Sequence, residues 1–171
     1  AKYKTIKDQE IFELEKELNS SIDFPTNKDR LSKEESSRLK AKKLYLYYTQ
    51  LGRCMYTGQK IELSDLLKNN QYDIDHIYPQ SKVKDDSFNN TVLVKKESNA
   101  NKKDVYPLGS SIQTKENKRF WRFLKEKKLI TEEKYNRLVR TEEFSDDELT
   151  GFIARQLVET SQAIKAISTI L

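Results

Sequence analysis

"YDIDHIYPQSKVKDDSFNNTVLVKKESNANKK" fills residues 72–103. Its first part, YDIDHIY, is rich in β-formers and stops at Pro79, which cannot continue a paired strand. SKVKDDSFNN, 81–90, reads as a loop. TVLV, 91–94, reads as a second strand. KKESNANKKD, 95–104, has the composition of a short helix, ended before Pro107. The stretch therefore predicts strand, loop, strand, short helix. It also holds His76, the single histidine of the chain, directly after Asp75 and three residues after Asp73.

That grouping has a chemistry. An imidazole takes a proton from water near neutral pH. Hydrolysis of a phosphodiester needs such a base, and a cation to offset charge on the phosphate and the leaving oxygen. Asp75 supplies a hard oxygen ligand suited to magnesium. Neighbours on a regular strand point to opposite faces, so Asp75 and His76 would not grip one ion together; a bend before Pro79 would let them flank a phosphate, one through metal and one through water. A second ligand must come from another element. Asn90, before the second strand, and Asn99, on the following helix, are both candidates. Taken singly, each residue also suits a structural role: a surface histidine, carboxylates bounding a strand, asparagines serving turns.

Outward from this core the chain reads as helical. Residues 5–18 carry a moderate helical pattern, broken by NSSIDFPTNKD. Ser32 with Glu35 makes a capping box ahead of KEESSRLKAKKLYLYYTQL. Leu39, Leu44, Tyr47, Tyr48 and Leu51 are then available to a core, and Gly52 ends the helix. RCMYTGQKIEL turns at Thr57-Gly58 between two short extended pieces, and Ser64 caps a short helix. Helical stretches follow near 112–128 and 131–140. In KENKRFWRFLKEKK, Phe120 and Leu124 face the core, with Trp121 or Phe123 beside them and the Lys and Arg solvated. Ser145 and Glu148 form another capping box, opening a helix through Leu171 with an Ile153, Leu157, Ile164, Ile167 stripe.

The 171 residues are 36% hydrophobic and 35% charged, with net charge +5. This suits one polar, helix-leaning domain with extensions and mildly favours a polyanionic partner; with the strand–loop–strand–helix stretch at 72–103 the expected class is α+β, mostly helical. Basic residues concentrate at 82–103 and 115–128, while 141–149 is acidic. No apolar run is long enough for a membrane span. The chain begins without Met or an apolar leader and reads as a fragment or excised domain. Lone Cys54 forms no internal disulfide and fits a reducing compartment.

The ordered string resembles the HNH (ββα-metal) endonucleases, and more closely the HNH domain of the type II CRISPR RNA-guided DNA endonucleases. KLYLYY (43–48), YDIDHIYPQS (72–81), KDDSFNNTVLV (84–94), ESNANKK (97–103), LITEEKYNRL (129–138) and GFIARQLVET (151–160) carry the match. The resemblance implies a ββα-metal core at 72–103 within a nuclease domain at 21–146. Residues 1–20 and 147–171 would be connectors. It implies His76 as general base, with Asp75 and Asn99 holding Mg2+, for which Mn2+ would substitute. Glu97 would be an auxiliary ligand, Asn90 and Asp73 supporting residues, and Lys102 a phosphate contact. Cys54 has Thr57 where a zinc-site partner would stand, so no structural zinc is expected.

The implied task is to nick the DNA strand of a guide RNA–DNA heteroduplex, for antiviral defence in a bacterial cytoplasm. The implied partners are that duplex and other domains of a parent effector. The isolated domain would be a monomer without membrane association. Two other readings stand beside this one: a catalytically silent nucleic-acid-binding module of the same fold, and a helical interaction domain with no site.

Overall fold

A computed structural model of the chain describes residues 27–68 and 71–170. The chain divides into two compact units, residues 1–42 and 43–171. The helix expected over 5–18 lies outside the described residues.

Helix α1 spans Asn27–Thr49. It begins five residues ahead of Ser32, which therefore lies inside the helix rather than at its start. The intervening Lys28, Arg30 and Leu31 are good helix formers and nothing there opposes the extension. In the first unit, Leu39 is exposed.

Within the second unit, α1 closes through two residues with positive φ, Leu51 and Gly52. The Gly52 N–H donates to the Tyr47 carbonyl at 2.8 Å. A Cβ at Gly52 would sit 3.1 Å from the Tyr47 ring, so glycine is required by both conformation and space. This reversal throws Leu51 outward, half exposed, where the sequence offered it to the core. Residues 53–60 form a tight turn with one antiparallel bridge, Arg53 to Lys60, and Gly58 at positive φ. Helix α2, Leu63–Lys68, starts one residue before Ser64.

Strands β1 (Tyr72–His76) and β2 (Thr91–Lys95) pair antiparallel, Asp75 opposite Val92 and His76 opposite Thr91. Helix α3, Lys96–Lys102, follows β2 without a loop. Helices α4 (Lys115–Glu126) and α5 (Glu132–Val139) have N-cap threonines, Thr114 and Thr131, whose hydroxyls accept from Asn117 N and Lys134 N. Helix α6, Asp146–Ile170, opens with the expected box: Glu148 N–H donates to Ser145 Oγ at 3.1 Å and Ser145 N–H to Glu148 Oε1 at 3.2 Å. The described residues thus hold six helices and one two-stranded antiparallel sheet. None of those helices is long and apolar enough to cross a membrane.

Leu46, Met55, Ile61, Ile77, Leu93, Trp121, Leu124 and Leu138 are buried almost completely in this unit. Each such side chain contributes roughly 1.5–3 kcal/mol by leaving water. On α4 the indole of Trp121 is inside, donating Nε1–H to the Met55 carbonyl at 2.9 Å, whereas Phe123 is 45% exposed. Ile153 and Leu157 on α6 are exposed.

Candidate active site

β1 is regular through His76, so its side chains alternate. Asp73 and Asp75 leave on one face, His76 on the other. α3 lies on the aspartate face, and two contacts fix it there. Asn99 Nδ2 is 3.4 Å from Asp73 Oδ2, a long hydrogen bond. Lys102 Nζ is 2.7 Å from Asp75 Oδ2. The sheet and helix thus bring a carboxylate and an asparagine from distant segments to one face, with the imidazole at the strand's end.

Asp75 is mostly buried, its side chain 13% exposed. A second donor reaches it from the turn at 53–60: the Tyr56 hydroxyl, 2.5 Å from Oδ2. Burial pushes the Tyr56 phenol well above its usual pKa, and the Asp75 carboxylate adds to the shift. Tyr56 therefore stays a neutral donor to a charged acceptor, the stronger kind of hydrogen bond. Lys102 Nζ also donates to the His76 carbonyl at 2.7 Å. Its side chain is only 2% exposed. Expected at the phosphate, Lys102 is instead turned inward, because a buried ammonium demands the carboxylate and carbonyl it has found.

His76 sits against the loop. Its Nε2 is 2.7 Å from Asp86 Oδ1 and 3.3 Å from Gln80 Nε2. The tautomer that donates Nε2–H to Asp86 keeps Nδ1 as its acceptor, and the Gln80 amide then donates to Asp86 Oδ1, 3.4 Å away, rather than to the ring.

Asn90, fully buried, holds the loop in shape. Its Oδ1 accepts from Tyr78 N–H at 2.8 Å, and its Nδ2 donates to the carbonyls of Tyr78 and Asp85, at 3.1 and 2.9 Å. Beyond the clamp, Tyr78 packs on Tyr106 and Phe144, with ring centroids 4.8 and 4.9 Å away. The Arg137 guanidinium lies 4.3 Å from the Tyr78 ring centre and 2.8 Å from Asp85 Oδ2. Burial raises the Asp85 pKa, but hydrogen bonds from Ser87 and Arg137 outweigh it, leaving the carboxyl below its usual value.

Glu97 is exposed on the first turn of α3 and has no bond to Asp75 among the described residues. Among those residues no three His, Cys, Asp or Glu side chains are grouped to hold an ion. The donors on the aspartate face are instead carboxylates and an amide, hard oxygens fitting the magnesium that the resemblance implies. Cys54 lies in the core, its Sγ accepting from Lys95 N–H at 3.3 Å, while Thr57 is exposed.

Tyr56, Gln80 and Asp86 were absent from the candidates drawn from the sequence. Tyr56 carries no spacing signal. Gln80 lies within YDIDHIYPQS and Asp86 within KDDSFNNTVLV, where the acidic pair was the available clue.

Residues 54–108 match a family model described as HNH endonuclease. A CRISPR-associated endonuclease Cas9 from Streptococcus mutans is 43% identical over 139 residues, covering 80% of this chain and 10% of that protein. One from Listeria innocua is 37% identical over 139 residues, with the same coverage. The chain thus spans about a tenth of the length of these curated relatives. A crystal structure of Streptococcus thermophilus Cas9 in complex with the GGAA PAM aligns with TM-score 0.56 and 31% identity, covering 75% of this chain and 14% of that one. With its ββα core, its carboxylate–histidine strand end and this similarity, the chain belongs to the HNH endonucleases, as an HNH nuclease domain of the Cas9 type.

Proposed function

We propose that this domain hydrolyses, with magnesium, the phosphodiester of the DNA strand paired to a guide RNA, as part of a larger effector chain. The observation that carries this reading is the placement of Asp75 and Asn99 on one face of the β1–β2–α3 unit, with His76 at the strand end. Asp75 and Asn99 would hold the ion, which when bound supplies positive charge for the phosphate and the leaving 3′ oxygen. Manganese would serve in its place. Asp73 supports Asn99 through its amide. Glu97, exposed on the same helix, would be an auxiliary ligand.

His76 takes the proton of the attacking water on Nδ1 while Asp86 holds Nε2. Asn90 keeps the loop bearing Asp86 in register with the strand end. The positive charge of exposed Arg119 and Arg122 on α4 suits phosphates of the guide–target duplex. Residues 1–20 and 147–171 would join the domain, spanning 21–146, to the rest of the effector.

The test is cleavage of the guide-paired strand by the parent effector. His76→Ala should fold and lose ~10²–10⁴ in rate, the usual contribution of a positioned base. Asn99→Ala should be similarly impaired and partly restored by raised magnesium. Unchanged cleavage in both variants favours a catalytically silent module and sinks the reading.

A further inference from the structure

Two donors converge on one oxygen of Asp75. The Tyr56 hydroxyl and the Lys102 ammonium lie 2.5 and 2.7 Å from Oδ2. Among the described residues both contacts of the Asp75 carboxylate fall on Oδ2 and none on Oδ1. A carboxylate held this way cannot rotate without breaking two charge-assisted contacts. Its free oxygen is Oδ1, so a hard cation meets it through a single oxygen.

Both donors are buried, but they differ in what they hold. Lys102 divides its ammonium between Asp75 and the His76 carbonyl, whereas Tyr56 gives its one hydroxyl proton to Asp75 from a pinned backbone. Asn117 Nδ2 donates to the Tyr56 carbonyl at 2.7 Å. The Trp121 indole holds the Met55 carbonyl, and Met55 N–H donates to the Leu93 carbonyl at 3.1 Å. Tyr56 therefore delivers its hydroxyl from a fixed point in the core to a carboxylate at the sheet's edge.

We propose that Tyr56 is a positioning residue for the metal, fixing the Asp75 carboxylate so that it binds through Oδ1 alone. The inference rests on the reading of Asp75 as a ligand. Groups that orient a ligand in this way typically change metal affinity 10–100-fold when removed. A phenylalanine would leave Oδ2 to Lys102 alone, letting the carboxylate turn and the ammonium compete for both oxygens.

The test uses the ¹⁵N-labelled chain titrated with Mn2+ alone. The amides of Ile74, next to Asp75, and of Val92, its cross-strand partner, report occupancy by paramagnetic broadening. Tyr56→Phe should shift the titration about tenfold to higher Mn2+, with the Trp121 indole signal of the metal-free spectrum unchanged. 4-Fluorophenylalanine in place of Tyr56 fills the hydroxyl's volume without donating, and should shift it likewise. Asp75→Ala should abolish the broadening.

If Tyr56→Phe titrates like wild type while Asp75→Ala is silent, the positioning role fails and the metal reading stands. If wild type does not broaden there, or Asp75→Ala broadens equally, the metal reading falls and this inference with it. Loss of the Trp121 signal in both Tyr56 variants before Mn2+ is added would assign the hydroxyl to folding and overturn the proposal.

Discussion

Asp86 Oδ1 lies 2.7 Å from His76 Nε2, although Asp86 is 77% exposed on the loop and His76 ends a strand. The contact is worth little to stability in so open a setting. Its consequence is orientation. Asp86→Ala should lower the rate of guide-paired strand cleavage about tenfold, the low end for a group that orients a site residue, without moving thermal unfolding. Asp86→Asn, which keeps an acceptor, should fall between. A wild-type rate for Asp86→Ala would remove the carboxylate from the mechanism.

Asn90 satisfies three backbone groups around the turn from Tyr78 to Asp85. Asn90→Ala leaves them without that partner in a buried place. The expected loss is about 3 kcal/mol or more, since each of the three groups left unpaired costs ~1–3. The single, buried Trp121 provides the fluorescence readout in denaturant. A loss under ~0.5 kcal/mol, within the range of a neutral surface change, would mean that the loop keeps its shape by other contacts.

Glu148 joins the α6 cap to Arg140 in a two-pronged pair, at 2.8 and 2.9 Å. The Arg140 hydrogen bonds lead in lowering its pKa from 4.5 to about 2, helped by the Ser145 backbone. A carboxylate depressed on folding stabilises above its unfolded value. The stabilisation is lost as pH falls from about 4.5 to about 2. Glu148→Gln should thus lower the thermal midpoint near neutral pH, by an amount that shrinks through that window and with added salt. A wild-type–variant difference that stays constant from pH 6 to 2 would refute the linkage.

The strand and helix elements at 72–103 were legible because periodicity, Pro79 and β-branched residues agree locally. The Ser145–Glu148 box was legible for the same reason: it closes over four residues. Ser32 and Glu35 carry the same spelling, yet α1 runs through them from Asn27. A capping box permits a helix start but does not stop good helix formers upstream. The aromatic order on α4 was only half legible, because which of Trp121 and Phe123 turns inward depends on the Met55 carbonyl that receives the indole.

By itself the sequence determined the short-range matters: which segments pair as strands, which turn, and that one acid–imidazole couple ends a strand. Only tertiary structure decided what surrounds that couple. Gln50, unmarked in the sequence, grips Leu93 across 43 positions, its Oε1 accepting the Leu93 N–H at 2.7 Å and its Nε2 donating to the carbonyl at 2.8 Å. Tyr56 reaches Asp75 from 19 residues away, and Lys102 turns in from 27 later. Such partners leave no local spacing to read. Burial selects them, since a polar group shut away from water must bond to whatever the packed chain brings within reach.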